Sequence, residues 1–167
     1  MAQVFGFPVQ VNEKAARVVA TGVAIFAATI LATGWQWLLV PVALGFAARV
    51  AAGPRFSPLG RLAANVIAPR LGEPRIVAGA PKRFAQTIGL VMTSVAAIAS
   101  LGFGQTQVAA VLVAVLLIFA TLEAGVGFCA GCWMFAQLMR LGLVPEATCI
   151  ECADITLRQR IRETANA

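Results

Sequence analysis

Histidine is absent from this 167-residue chain. That absence excludes mixed cysteine/histidine metal sites, histidine-ligated haem and serine/histidine catalysis together. Charge is scarce as well: Asp, Glu, Lys and Arg make up 12% of the residues against 60% hydrophobic, and the mean hydropathy is +0.86. Ordinary soluble domains have an apolar share nearer one half, so the composition points to a single integral membrane domain. The charge that exists is one-sided, with 13 Lys and Arg against 7 Asp and Glu. In so apolar a chain, clustered arginines are explained by membrane insertion and anionic headgroups, and no nucleic-acid partner is expected.

What is abundant is long apolar sequence. Runs over 18–33, 37–52, 84–102 and 108–128 each approach the length that a bilayer core requires at about 1.5 Å per helical residue. The first follows Glu13, Lys14 and Arg17 without a small-residue cleavage site and is expected to be a retained span. These runs lack the alternation of barrel strands, and only helices or closed barrels tolerate hydrocarbon. The expected fold is therefore all-α: a four-transmembrane-helix bundle over 1–143, with helix four extended to about residue 141, followed by a cytosolic C-terminal tail over 144–167. The basic residues precede helix one, fill the central loop and follow helix four, whereas the turns around Trp35 and Gln105 are uncharged. The positive-inside rule then places both termini and the central loop in the cytoplasm, with Trp35 and Trp37 at the opposite interface.

The chain divides into two helical hairpins, each entered after a basic segment, which hints at duplication although residue identity between the halves is slight. In the central loop, Ser57 as N-cap and Pro58 in the first turn predict a short amphipathic helix on the membrane interface, ended by Pro69. Residues 71–81, rich in Pro and Gly, read as an irregular connection. In the tail, Thr148 and Glu151 form a capping box that puts Cys149 at the first position of a helix.

All four cysteines fall into two C-x-x-C pairs, Cys129 with Cys132 and Cys149 with Cys152. Three readings compete. Gly127 and Gly131 form a small-residue pattern that lets membrane helices approach closely, and the cysteines could be packing residues. The pairs could be reactive dithiols, because residues three apart on a helix lie within reach of a disulfide, and for the tail pair a helix N-terminus favours thiolate at Cys149 while Glu146 and Glu151 oppose it. Finally, C-x2-C-x16-C-x2-C matches a four-cysteine zinc pattern. On an unbroken helix four, however, the two pairs miss one another by roughly 9 Å, while zinc needs every sulfur about 2.3 Å away. A zinc site would require helix four to break near Gly131 or the tail to refold. In a reducing cytosol the pairs read as catalytic, redox-sensing or metal-binding groups rather than structural disulfides.

One intramembrane charge pair is expected. Glu123 and Arg49 lie at similar depth toward the cytoplasmic leaflet, and charges there are usually paired or functional. On a continuous helix, Glu123 lies roughly 120° around from Cys129, which makes it a poor direct base for that thiol.

The motifs FCAGCW (128–133), GPRFSP (53–58), APRLG (68–72) and APKRFAQ (80–86) resemble a bacterial membrane family catalogued as domain of unknown function 4395. The resemblance covers about Val11 to Leu143 and implies a small four-helix protein of the bacterial cytoplasmic membrane, with Cys129 and Cys132 in its cysteine motif. More distantly, the chain is similar to the vitamin K epoxide reductase and DsbB-like enzymes, which pass electrons between dithiols and quinone. Their reactive cysteines face the oxidising side, whereas the charge pattern here puts the pairs on the reducing side. The resulting expectation is a cytoplasm-facing dithiol, Cys129 with Cys132, and a relay pair, Cys149 with Cys152, in thiol/disulfide exchange or sulfur handling with a thioredoxin-like or sulfurtransferase partner. Arg55, Arg61 and Arg70 would contact headgroups or an acidic partner. The alternatives are zinc or another thiophilic metal on the four cysteines, or a structural membrane subunit.

Overall fold

A computed structural model describes residues 10–53 and 56–143. The expectations for Arg55, Cys149, Cys152 and the tail helix lie outside the described residues. Within them the chain is all-helical apart from one small strand pair. Strand β1 (Gln10–Asn12) leads directly into α1 (Glu13–Thr33), whose first turn is capped by Asn12: its side chain accepts from the Lys14 N–H at 3.0 Å. A 3-10 turn over Gln36–Leu38 precedes α2 (Leu39–Ala52). Next come α3 (Pro58–Leu62), β2 (Ile76–Ala78), α4 (Gly79–Ala97), α5 (Thr106–Val126) and α6 (Ala130–Arg140).

Three helical stretches are long and apolar enough to cross a membrane: Glu13–Thr33, Gly79–Gly102 and Thr106–Val126. The expected second span, Gln36–Ala52, is apolar but shorter. α1 packs along α5 and α2 along α4. Both pairs run antiparallel, since the start of α1 meets the end of α5 and the end of α2 meets the start of α4. One apolar core gathers Val19, Val23, Phe46, Leu116 and Ala120; a second, toward the other end, gathers Ile30, Leu39, Ala109 and Val113. Ile25, Leu44, Val91, Ile98, Val111 and Ile118 point outward and are exposed. An apolar exterior around an apolar core is what hydrocarbon as solvent demands.

Ser57 caps α3 as the sequence predicts, accepting from the Gly60 N–H. The helical path does not stop at Pro69, however. It continues through a π turn (Ala63–Ile67) and a 3-10 turn (Ala68–Leu71) and ends at Gly72, where φ is 89°. Pro69 sits in the first turn of the 3-10 segment, where its missing N–H costs nothing. The connection expected to be irregular contains β2, which pairs antiparallel with β1 from Gln10–Ala78 to Asn12–Ile76. Three residues are too few to show a strand period, so this ladder left no trace in the sequence pattern.

The larger correction concerns helix four. It is not continuous to residue 141: α5 stops at Val126, Gly127 adopts the left-handed conformation at φ 73°, and a new helix begins at Ala130. The N–H groups of Gly127 and Phe128 return to the carbonyls of Glu123 and Leu122 at 3.1 and 3.3 Å. Gly127 therefore ends a helix, while Gly131 serves close packing: a Cβ there would stand 2.6 Å from Cα and Cβ of Ala85 on α4. Gly89 has a comparable role, because a Cβ at that position would meet the Phe46 ring at 2.3 Å. Gly89→Ala should cost about 1–3 kcal/mol through overpacking. Thermal unfolding of the detergent-solubilised protein checks this, and an unchanged midpoint would contradict it.

Candidate functional site

The break after α5 builds the site. Cys129 is extended (φ −98°, ψ 105°) at the N-cap of α6, and Cys132 is the third residue of that helix. The two are thus not neighbours on one continuous helical face. Cys129 holds the cap position without a capping hydrogen bond from its side chain, and Cys132 lies in the first turn. Both cysteines are free thiols and partly buried. The Cys132 thiol hydrogen-bonds the Cys129 sulfur and holds the Cys129 thiol below its ordinary value; the Lys82 charge and the Cys132 backbone N–H act in the same direction, while burial and Glu123 oppose it. The same hydrogen bond, together with burial and the charge on Cys129, pushes Cys132 well above the usual thiol range.

Two charged residues flank this pair. Lys82 on α4 is 6% exposed, and its Nζ donates to Glu123 Oε1 on α5 at 2.5 Å. Lys82 stands one turn before Ala85, the residue on which Gly131 packs, so the close α4–α6 approach brings its turn of α4 to the start of α6. The expected Arg49–Glu123 pair does not form. Arg49, also buried, donates from Nε to Gln86 Oε1 at 2.8 Å and from Nη1 to Ser57 Oγ at 3.2 Å, and its guanidinium stacks over the Phe46 ring at 4.5 Å. Depth alone could not choose between the cations. Lys82 was counted as a loop residue because the apolar run begins at Phe84, yet Pro81 in the first turn of α4 was the available signal that the helix starts earlier.

Arg17 is the second residue that the sequence reading missed. Its charge had been assigned to topology, but its guanidinium donates to the carbonyls of Ala124 at 3.1 and 3.0 Å and of Gly125 at 2.5 Å. A cation on the last carbonyls of α5 satisfies acceptors that the helix cannot, and it suits the negative end of the dipole. Beside it, Glu13 bridges to Arg75 at 3.0 Å, and Lys14 donates to the Leu71 carbonyl at 2.8 Å.

A cavity of about 90 Å³ lies between α1, α2, α4, α5 and the start of α6. Its walls are mostly apolar, and Glu123, Gln86 and Cys129 supply the polar groups. Glu123 and Cys129 thus share a cavity, which a continuous helix would not have allowed. Arg61 and Arg70 are exposed and stand apart from this cluster. Among the described residues no group of three or more Cys, Asp and Glu side chains is placed to hold a metal.

Fold and site together define an all-helical chain with three helices able to cross a membrane and a paired dithiol beside a buried Lys–Glu pair. It belongs to the family described as domain of unknown function (DUF4395), which matches residues 11–140 and includes Cys129 and Cys132. No curated protein and no solved structure matches the chain.

Removing one member of the Lys82–Glu123 pair strands a buried charge. Lys82→Met should therefore destabilise by on the order of 3–5 kcal/mol, and Lys82→Met/Glu123→Gln should recover much of that loss. Equal unfolding midpoints for the single and double variants would refute the pairing.

Proposed function

We propose that the protein is a four-helix bacterial cytoplasmic-membrane protein whose Cys129–Cys132 dithiol faces the cytoplasm and performs thiol/disulfide exchange with a thioredoxin-like partner. The observation that carries this reading is the break after α5, which sets Cys129 at the N-cap of α6 and Cys132 in its first turn, both as free thiols beside the buried Lys82–Glu123 pair. The α2 stretch completes the four spans. The orientation rests on charge: Glu13, Lys14, Arg17, Arg75, Lys82 and Arg83 cluster at the dithiol end, while Trp35, Trp37 and Phe103 are exposed in the uncharged turns at the other end. Leu62, Val66 and Leu71 on the exposed side of the central segment would lie in the cytoplasmic interface, with Arg55, Arg61 and Arg70 at headgroup level.

The exchange proceeds in two steps. The Cys129 thiolate attacks one sulfur of a partner disulfide; an S–S bond forms to Cys129 while the partner's S–S bond breaks and releases a partner thiolate. Once Cys129 is bonded, its negative charge no longer opposes ionisation of Cys132. Cys132 then loses its proton and attacks the Cys129 sulfur, closing the Cys129–Cys132 disulfide and releasing the second partner thiolate. The reverse sequence reduces the protein. Exposed Phe128 and Trp133 offer a partner an apolar landing surface beside the sulfurs. Cys149 and Cys152 would act as the relay pair.

Alkylation of Cys129 followed by mass spectrometry tests this. Because its thiol is held below the ordinary value, the rate should fall only when pH drops through that lowered midpoint, and Cys132 should resist labelling across the same range. Cys132→Ala removes the hydrogen bond and should raise the Cys129 midpoint. Equal, ordinary midpoints for both thiols would defeat the proposal. Zinc at one per chain, lost on replacing any cysteine, would support metal binding instead.

A further inference from the structure

The cavity behind Cys129 raises a question that the exchange reading leaves open, since a thiol that only meets protein disulfides at the membrane surface needs no chamber inside the bundle. The chamber is nevertheless built by five helices, and its walls are kept small by Ala16, Ala20, Ala85, Gly89 and Gly131. Its size limits the occupant. At about 90 Å³ it offers less room than the roughly 150 Å³ apolar cavity that admits a benzene ring, which favours an occupant smaller than a ring. It has room for water, but a water needs two to four polar partners, and these walls are mostly apolar. The chamber therefore suits one or a few small, weakly hydrated, polarisable atoms. Sulfur covalently attached to Cys129 meets that description.

We propose that Cys129 carries sulfane sulfur as a persulfide housed in this cavity, and that the protein accepts it from a persulfide donor. This rests on the dithiol reading and names a substrate class for it. The Cys129 thiolate attacks the outer sulfur of a donor persulfide, R–S–SH. The donor S–S bond breaks, R–S⁻ leaves, and Cys129–S–SH forms with its terminal sulfur directed into the apolar chamber. The mostly apolar walls disfavour water there, which protects the persulfide from side reactions. Delivery follows when Cys132 loses its proton and attacks the inner Cys129 sulfur: the Cys129–Cys132 disulfide forms and HS⁻ departs. Two electrons then return from a dithiol partner of thioredoxin type, which is oxidised as the protein disulfide is reduced.

The full-length protein in detergent, carrying Cys132→Ser so that release is blocked, provides the test. It is treated in one arm with glutathione persulfide and in the other with a persulfidated sulfurtransferase, which distinguishes a small-molecule from a protein donor. Intact mass spectrometry should show the addition of one sulfur atom in at least one arm, mapped to Cys129 after alkylation, whereas the protein with both cysteines should release sulfide and gain the disulfide. Ala16→Leu in the same background narrows the chamber and should lose retention of the added sulfur, while Ala16→Ser, which leaves the volume nearly unchanged, should keep it. A parallel reaction with a protein disulfide separates the two readings. Mixed-disulfide formation without sulfur uptake in either arm overturns the persulfide proposal and leaves exchange standing; failure of both reactions overturns both. Retention undiminished in Ala16→Leu overturns the assignment to the cavity.

Discussion

The end of α5 at Gly127 sets the geometry of everything on the dithiol side of the molecule. A left-handed glycine turns the chain, two N–H groups fold back on the Glu123 and Leu122 carbonyls, and Arg17 from the far end of the sequence satisfies the carbonyls that the helix leaves open. Had the helix continued, Cys129 would point away from Glu123 and its N–H groups would be spent on the ladder. Because it stops, Cys129 becomes a cap residue, α6 starts afresh, and Gly131 lets it settle on Ala85. A helix terminus leaves several backbone polar groups without an intrahelical partner, and the Cys132 N–H among them makes a lesser contribution to the lowered Cys129 thiol.

The buried charges form a second layer of constraint. Lys82 and Glu123 neutralise each other across α4 and α5, and Arg49 is held separately by Gln86, Ser57 and the face of Phe46. This separation leaves the Lys–Glu pair as the ionic neighbour of the sulfurs. Its two members act on Cys129 in opposite senses, Lys82 favouring thiolate and Glu123 opposing it, and the neighbouring Cys132 thiol contributes most to the lowered value.

Much of the fold was legible because hydrocarbon as solvent forces simple patterns: apolar runs gave α1, α4 and α5, and Ser57 with Pro58 gave the start of α3. The site was legible only in its atoms. Pairing of the cysteines drew attention to Cys129 and Cys132, but a glycine in an apolar run reads equally as a packing contact or a helix stop, and Gly127 was assigned to the wrong one. Run length likewise hid Lys82, which lies two residues outside the apolar stretch yet inside the helix. Arg17 was obscured because topology already explained its charge. For Lys82 and Arg17 a residue type had a sufficient local explanation, and the real one depended on a partner more than forty or a hundred positions away.

The small strand pair fixes the order in which the molecule can be completed. Asn12 meets Ile76 and Glu13 meets Arg75, so the entrance to the first hairpin is fastened only when the entrance to the second has emerged. Arg17, a turn further along α1, cannot close on Ala124 until the last membrane helix has been made. During synthesis the turn that places Cys129 therefore lacks its Arg17 clamp for as long as the chain is incomplete, and gains it as the final act of assembly.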